Sequence, residues 1–273
     1  MVMQNKQNLH MHTTYTDGKN RPEEMVLEAI RRGFDSVGFS EHSYMRYSRS
    51  HQMLPEQTGA YQAEILSLKG KYKGTIDIYC GLEVEMFSEM PQESFDYLIG
   101  SVHYLECDGQ IAGFDRGLEE TLAYIDKYFG GDGLAFAKHY FKTLCSLPEK
   151  ADFDILGHFD LITKNNEKGR FIDTSSREYL HAGFEAIHAL RGRIPLFEVN
   201  TGAIARCYRA DPYPQTEFLR ELQSCGFGAV ISSDCHDKNF IDCHYEEARQ
   251  LLLQAGFQSR WILTEGGFRE VAI

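Results

Sequence analysis

Short apolar and β-branched runs alternate along the chain with longer stretches of helical periodicity. Seven of the short runs read as strands: Asn8–Thr13, Ser36–Glu41, Asp77–Val84, Tyr97–His103, Asp154–His158, Leu196–Asn200 and Ala229–Ser233. Each is followed by polar, Gly-containing or irregular sequence. Helical patterns fill the gaps at Arg21–Gly33, Glu56–Lys73, Leu118–Leu147, Ser176–Arg191, Gln215–Cys225 and Cys243–Ala255. The first carries Pro22 near its start and Gly33 at its end, the asymmetry expected of a helix. Strands separated regularly by helices imply parallel pairing with right-handed crossovers, hence a closed barrel or a doubly wound sheet. Either architecture places chemistry at the C-terminal ends of the strands. No repeat or low-complexity linker divides the chain, and only the insert at 104–152 could be mistaken for a subdomain. The expectation is one domain over 1–273.

A length of 273 residues suits a single α/β barrel. The 28 Lys+Arg against 40 Asp+Glu leave a net charge of −12, with no basic run. Long-range attraction to nucleic acid or to an anionic membrane is therefore not expected. The seven cysteines form an odd set without a CxxC pair, which argues against a disulfide framework or a thiolate zinc knot. With a polar start and no apolar run of about 20 residues, the expected location is the cytoplasm.

The first strand candidate ends in His10-Met11-His12, and alternation puts both imidazoles on one face. A lone HxH is as readily a strand edge with two polar residues. Recurrence changes the picture: Glu41-His42, Glu83 with Glu85, His103, His158 and Asp234-Cys235-His236 stand at the matching point of other strands. Unrelated core histidines would not share one rim of one sheet, so a multinuclear metal site is expected. Imidazole and carboxylate without cysteine suit zinc, iron or manganese. His51, His139, His181, His188 and His244 fall on predicted helices or loops and are read as exposed or capping. Cys235 should point away from the rim.

In order and spacing, His10-Met11-His12 with Asp17, Glu41-His42, Gly81-Leu82-Glu83, Ser101-Val102-His103, Gly157-His158 and Ser233-Asp234-Cys235-His236 resemble the polymerase-and-histidinol-phosphatase (PHP) superfamily. The resemblance covers essentially the whole chain. It implies a distorted (β/α)7 barrel with three divalent metal ions at the C-terminal rim of the strands. By the same resemblance His10, His12, Glu83 and Asp234 would ligate one ion. Glu83 would bridge to a second held by His103 and His158, while Asp17, His42 and His236 would hold a third and form the catalytic set. Such ions polarise a phosphoryl group and activate water, so hydrolysis of a phosphate monoester is the implied reaction. Protonation of the leaving alkoxide would fall to Asp17, His42 or a coordinated water. The metal charge exceeds that of the three ligating carboxylates, so a phosphate is attracted locally despite the acidic whole.

Within the superfamily, the stand-alone length, the insert beginning at Tyr104, Gly113-Phe114-Asp115 and the run Glu198 to Gly202 followed by Arg206 and Tyr208 look most like histidinol-phosphate phosphatases. Histidinol phosphate is thus the expected substrate. Arg206, just beyond strand six, reads as the first choice for a phosphate contact, and otherwise as a guanidinium pairing with an acidic neighbour. Lys164 is the second choice. Asn200 would orient its loop or cap the next element. Glu85 and Glu41 read at most as orienters of metal-bound imidazoles. The alternatives are a PHP phosphoesterase acting on another small ester or nucleotide, a small nuclease, or an idle metal-binding scaffold. A nuclease would need a basic or aromatic track for its strand, and an idle scaffold is disfavoured by nine intact ligand positions.

Overall fold

The computed structural model describes residues 5–47 and 51–273. Its strands are β1 (Gln7–Asn8), β2 (Ser36–His42), β3 (Asp77–Glu85), β4 (Tyr97–Ser101), β5 (Tyr104–Cys107), β6 (Gln110–Gly113), β7 (Ile155–Leu156), β8 (Leu196–Asn200), β9 (Gly228–Ser232), β10 (Ser259–Thr264) and β11 (Gly267–Ala272). Seven of them pair in parallel in the order β1-β2-β3-β4-β7-β8-β9. Beyond β1 the chain stays extended. Met11 forms a parallel bridge to Cys235, and the His12 N–H donates to the Cys235 carbonyl at 3.0 Å. That seam joins the first strand to the last, leaving a nearly closed seven-stranded barrel ringed by helices.

The ring is filled by a small cluster of Leu9, Tyr97, Ile99, Ile155, Leu196 and Val230, joined by Leu263 of the C-terminal β10–β11 hairpin. The Tyr97 hydroxyl donates to the carbonyls of Leu9 (2.5 Å) and Phe39 (3.1 Å), so its ring must cross the neighbouring strands. Gly81 makes room for it: a Cβ there would lie 2.3 Å from the Tyr97 ring. The hairpin closes the N-terminal end of the barrel. Gln7 exchanges two hydrogen bonds with the backbone of Leu263, and Trp261 packs against Gly228. A larger apolar cluster lies between the outer faces of the strands and the helices.

The first strand is shorter than its pattern predicts, because residues 10–13 exchange ladder bonds for other partners. The Asn8 side chain accepts from the His10 N–H, Ser40 Oγ accepts from Met11, and the Glu41 carboxylate accepts from Thr13. Similarly, only Ile155–Leu156 of the predicted Asp154–His158 pairs as a strand, since the His158 N–H donates to Glu198. The helix expected over Leu118–Leu147 is two, Leu118–Phe129 and Gly133–Leu144. Gly130 and Gly131 take positive φ there, and Asp132 caps the second helix through the N–H groups of Leu134 and Ala135. Neither antiparallel hairpin was among the seven predicted strands. The β5–β6 turn is Asp108-Gly109 with both residues at positive φ, a pairing suited to a two-residue hairpin loop. Among the described residues no helix is long and apolar enough to cross a membrane.

Candidate metal centre

Histidines and carboxylates from every part of the barrel rim converge on one cavity of about 400 Å³. Three groups of ligand atoms form, each mutually within 4.8 Å: His12, Asp17, His42 and His236; His10, His12 and Asp234; and Glu83, His103 and His158. All nine residues named from the resemblance are brought together. Glu83 sits between the groups. Its Oε2 lies 3.5 Å from His10 Nε2, 3.6 Å from His12 Nε2 and 2.7 Å from His42 Nδ1, and its Oε1 lies 3.1 Å from His158 Nε2. His12 reaches two of the groups, although the resemblance assigns it to one.

Local backbone geometry aims these side chains. Asp234 adopts a positive φ, which an Asp tolerates better than most residues. Its Oδ1 then lies 3.3 Å from His12 Nε2 while the next residue, Cys235, turns back into the wall. Gly18 lets the turn after His12 fold tightly, since a Cβ would meet the His12 carbonyl at 2.3 Å, and Asp17 is thereby held 3.2 Å from His236 Nε2.

Second partners fix several imidazoles. His10 Nδ1 lies 2.9 Å from the buried Glu198 carboxylate, which also accepts from the His158 N–H (2.7 Å), Asn200 Nδ2 (2.8 Å) and the Ser232 hydroxyl. Glu85 accepts from both the N–H and Nδ1 of His103, at 2.7 and 3.0 Å, and so does the orienting work expected of it. Glu41 does not: it accepts from the Thr13 N–H and from the hydroxyls of Thr13 and Thr16, and holds the 13–16 turn instead. Glu198 opens the run that carries the resemblance but was given no role in sequence, although it shares a strand face with Asn200 at the C-terminal end of β8. Asn200 orients its loop, its Oδ1 accepting from the Gly202 N–H.

Several buried polar atoms at this rim crowd together without hydrogen bonds. His10 Nε2, both nitrogens of His12, Asp17 Oδ1 and Glu83 Oε2 are buried and make no hydrogen bond among the described residues. A tetrahedral zinc with ligands at about 2.0 Å separates them by roughly 3.3 Å, close to the spacings above. The residues present therefore fit divalent cations.

The electrostatics agree. Burial opposes the ionised form of Glu83 and Asp234, yet the surrounding imidazoles, and Arg206 beside Asp234, hold both well below the usual carboxylate range. Burial would lower His103, but Glu83 and Glu85 raise it to about 9. His10 is likewise driven up against its burial by Glu198, Glu83 and Asp234. His12 falls to about 3, through burial and then the neighbouring His42 and His236. The carboxylate field thus draws positive charge to this rim, as protons or as metal ions.

Arg206 and Lys164 both line the cavity. Arg206 also meets an acidic neighbour, with Nη2 2.9 Å from Asp234 Oδ2 and Nη1 2.8 Å from His236 Nδ1. Lys164 donates to Asp115 Oδ2 at 3.1 Å and lies 4.9 Å from the centre of the Tyr208 ring. His51 is exposed on a loop, as expected, and also reaches the cavity mouth, with Nδ1 3.5 Å from Asp17 Oδ2. The histidine lies in a loop with no strand pattern to place it. The other four unassigned histidines lie away from the rim. His188 bonds Glu221 at 2.6 Å, beside Cys225.

Comparison with known proteins agrees with this geometry. The chain is 27% identical over 276 residues to a histidinol-phosphatase of Lactococcus lactis, covering 92% of each chain. A crystal structure assigned to a histidinol phosphatase from Listeria monocytogenes superposes with a TM-score of 0.76 at 22% identity, covering 89% of this chain and 99% of that one. A histidinol phosphate phosphatase from Lactococcus lactis, solved with zinc, L-histidinol and phosphate, gives a TM-score of 0.68 at 19% identity, covering 97% and 99%. Residues 8–201 match the PHP domain model, and with the rim ligands in place on a seven-stranded barrel this chain belongs to the PHP domain family.

Proposed function

We propose that this protein is a metal-dependent phosphomonoesterase that hydrolyses L-histidinol phosphate to L-histidinol and phosphate. The observation that carries the reading is the convergence of three ligand groups on a small cavity whose walls also hold Arg206 and Lys164. The named activity of the Lactococcus lactis relative supports the choice of substrate.

His10, His12, Glu83 and Asp234 would hold one divalent ion, Glu83, His103 and His158 a second, and Asp17, His42 and His236 a third. Bound there, zinc, iron or manganese ions would polarise the phosphoryl oxygens and make water a better nucleophile at neutral pH. Arg206 lines the cavity, anchored through Nη2 on Asp234 and through Nη1 beside His236, and would bring positive charge to a bound phosphate. Lys164 adds a second positive charge, aligned by Asp115. Asp17 and His42 line the cavity, and one of them or a coordinated water would deliver a proton to the departing oxygen. A cavity of about 400 Å³ suits a small ester.

Phosphate release from histidinol phosphate, sugar phosphates and nucleotide monophosphates, measured on one preparation, tests this. Preference for histidinol phosphate, abolished by chelation and restored by a divalent cation, is expected. Equal efficiency on generic esters would refute the substrate, and activity that survives complete metal removal would refute the chemistry.

A further inference from the structure

Lys164 and Arg206, which line the cavity together with Arg116, stand on separate loops, 159–164 after β7 and 201–214 after β8. Behind the cavity wall these loops are joined by a buried ion pair. Arg209 Nη1 lies 3.3 Å from Asp160 Oδ2 and donates to Thr163 Oγ1 at 2.5 Å, while Nη2 reaches the Pro212 carbonyl at 3.5 Å. Asp160 Oδ2 also accepts from the Gln215 N–H at 3.1 Å. The Asp160 side chain is fully buried and that of Arg209 is only 8% exposed, and neither lines the cavity. The guanidinium stacks 4.4 Å from the centre of the Tyr213 ring, which in turn meets His158 at 6.2 Å. Tyr213 exchanges two backbone hydrogen bonds of 2.9 Å with Asn200, closing the β8 loop at its base.

A buried ion pair contributes little to stability compared with apolar residues of the same size, so its presence calls for another explanation. Its position supplies one. Arg209 is three residues from Arg206, and Thr163 immediately precedes Lys164, so the pair spans the two loops next to the charges they present. Apolar contacts could hold the loops together but would tolerate sliding. A fork bonded to a carboxylate, a hydroxyl and a carbonyl sets one register.

We propose that the Asp160–Arg209 pair is a positioning device that sets Lys164 and Arg206 at the spacing a phosphate group requires. The inference rests on the phosphatase reading for the ligand it names, but it concerns phosphate binding and not the choice of ester. Arg209→Met keeps bulk and removes the fork, whereas Arg209→Lys keeps charge and part of the bonding. Asp160→Asn keeps an acceptor for Gln215.

Inorganic phosphate is the probe, titrated calorimetrically into the metal-loaded protein and used as a competitive inhibitor of the best ester substrate. Arg209→Met should weaken phosphate about tenfold or more, the scale expected when a binding group is displaced by about an ångström. KM should rise with it, metal content per chain should stay at the parent value, and Arg209→Lys should recover part of the loss. Unchanged phosphate affinity in folded Arg209→Met overturns the proposal, as does a loss accompanied by an equal loss of metal. Should Arg209→Met fail to fold, Asp160→Asn and Arg209→Lys are judged by the same criteria. If the parent ignores histidinol phosphate but binds phosphate, the substrate reading fails while this comparison stands.

Discussion

Replacing Glu198 by Gln changes one atom of a buried side chain and should reverse the proton on His10. With a cation bound, His10 Nδ1 would donate to Glu198 Oε2, 2.9 Å away, and leave Nε2 free to ligate on the side of Glu83 and Asp234, at 3.5 and 3.7 Å. The remaining Glu198 oxygen accepts from the His158 N–H and Asn200 Nδ2, and a Gln carbonyl can keep both bonds. The new amide group must then face His10 Nδ1 and the Ser232 hydroxyl. The hydroxyl can rotate to accept, but Nδ1 can accept only by losing its proton, which moves to Nε2. A protonated Nε2 is no ligand. Loss of such an orienting partner weakens metal binding by about 10- to 100-fold, or roughly 1.4 to 2.7 kcal/mol. Competition against a chromophoric chelator measures this directly, with Ser232→Ala as the control that removes one partner of Glu198 and leaves the tautomer alone. A folded Glu198→Gln protein that competes as well as the parent would refute the reasoning.

Other perturbations report on separate parts of the molecule. Gly81→Ala pushes a Cβ to 2.3 Å from the Tyr97 ring and should cost about 1–3 kcal/mol in chemical denaturation. Adding Tyr97→Leu should make the pair less damaging than the sum, and strict additivity would show that the ring is not the obstacle. Asp242 meets Lys6 and Arg32, each at 2.5 Å, and these contacts outweigh its burial and lower its pKa from 3.8. A depressed folded value contributes stability that is complete above the unfolded pKa and lost as pH falls through the folded one. Thermal melts should therefore separate the parent from Asp242→Asn by about 1 kcal/mol at pH 7 and bring them together in acid below pH 3.8; a gap independent of pH would contradict this. Melting temperature should rise with free divalent cation, the gain reaching about 2.7 kcal/mol at a hundredfold excess over the dissociation constant. A melting temperature indifferent to metal would count against a centre formed only by the folded chain.

The rim was legible in sequence because its residues obey a positional rule. A histidine or carboxylate recurs where an apolar run ends, and in a parallel barrel those endings share one rim. The hairpins were less legible. The β10–β11 ribbon lies after the last βα unit, where nothing in the alternating pattern calls for another strand, and the Asp108-Gly109 turn signal was overshadowed by the helical periodicity that follows it. The break at Gly130-Gly131 was lost because helical patterning resumes at once in Gly133–Leu144. Glu41 was misread for a different reason: its neighbour His42 suggested a partner, but Thr13 and Thr16 on another loop claim the carboxylate. Contacts between loops, such as Arg209 with Asp160 or His51 with Asp17, have no signature in a single chain.

The C-terminal hairpin that closes the N-terminal end of the barrel also carries the chain's only tryptophan, Trp261, set against Gly228. Intrinsic fluorescence of this protein is therefore an observer stationed at the wrong end to watch substrate arrive. It should stay silent when phosphate or metal enters the rim and change when the hairpin detaches, so one optical signal tells loss of the fold from events at the site.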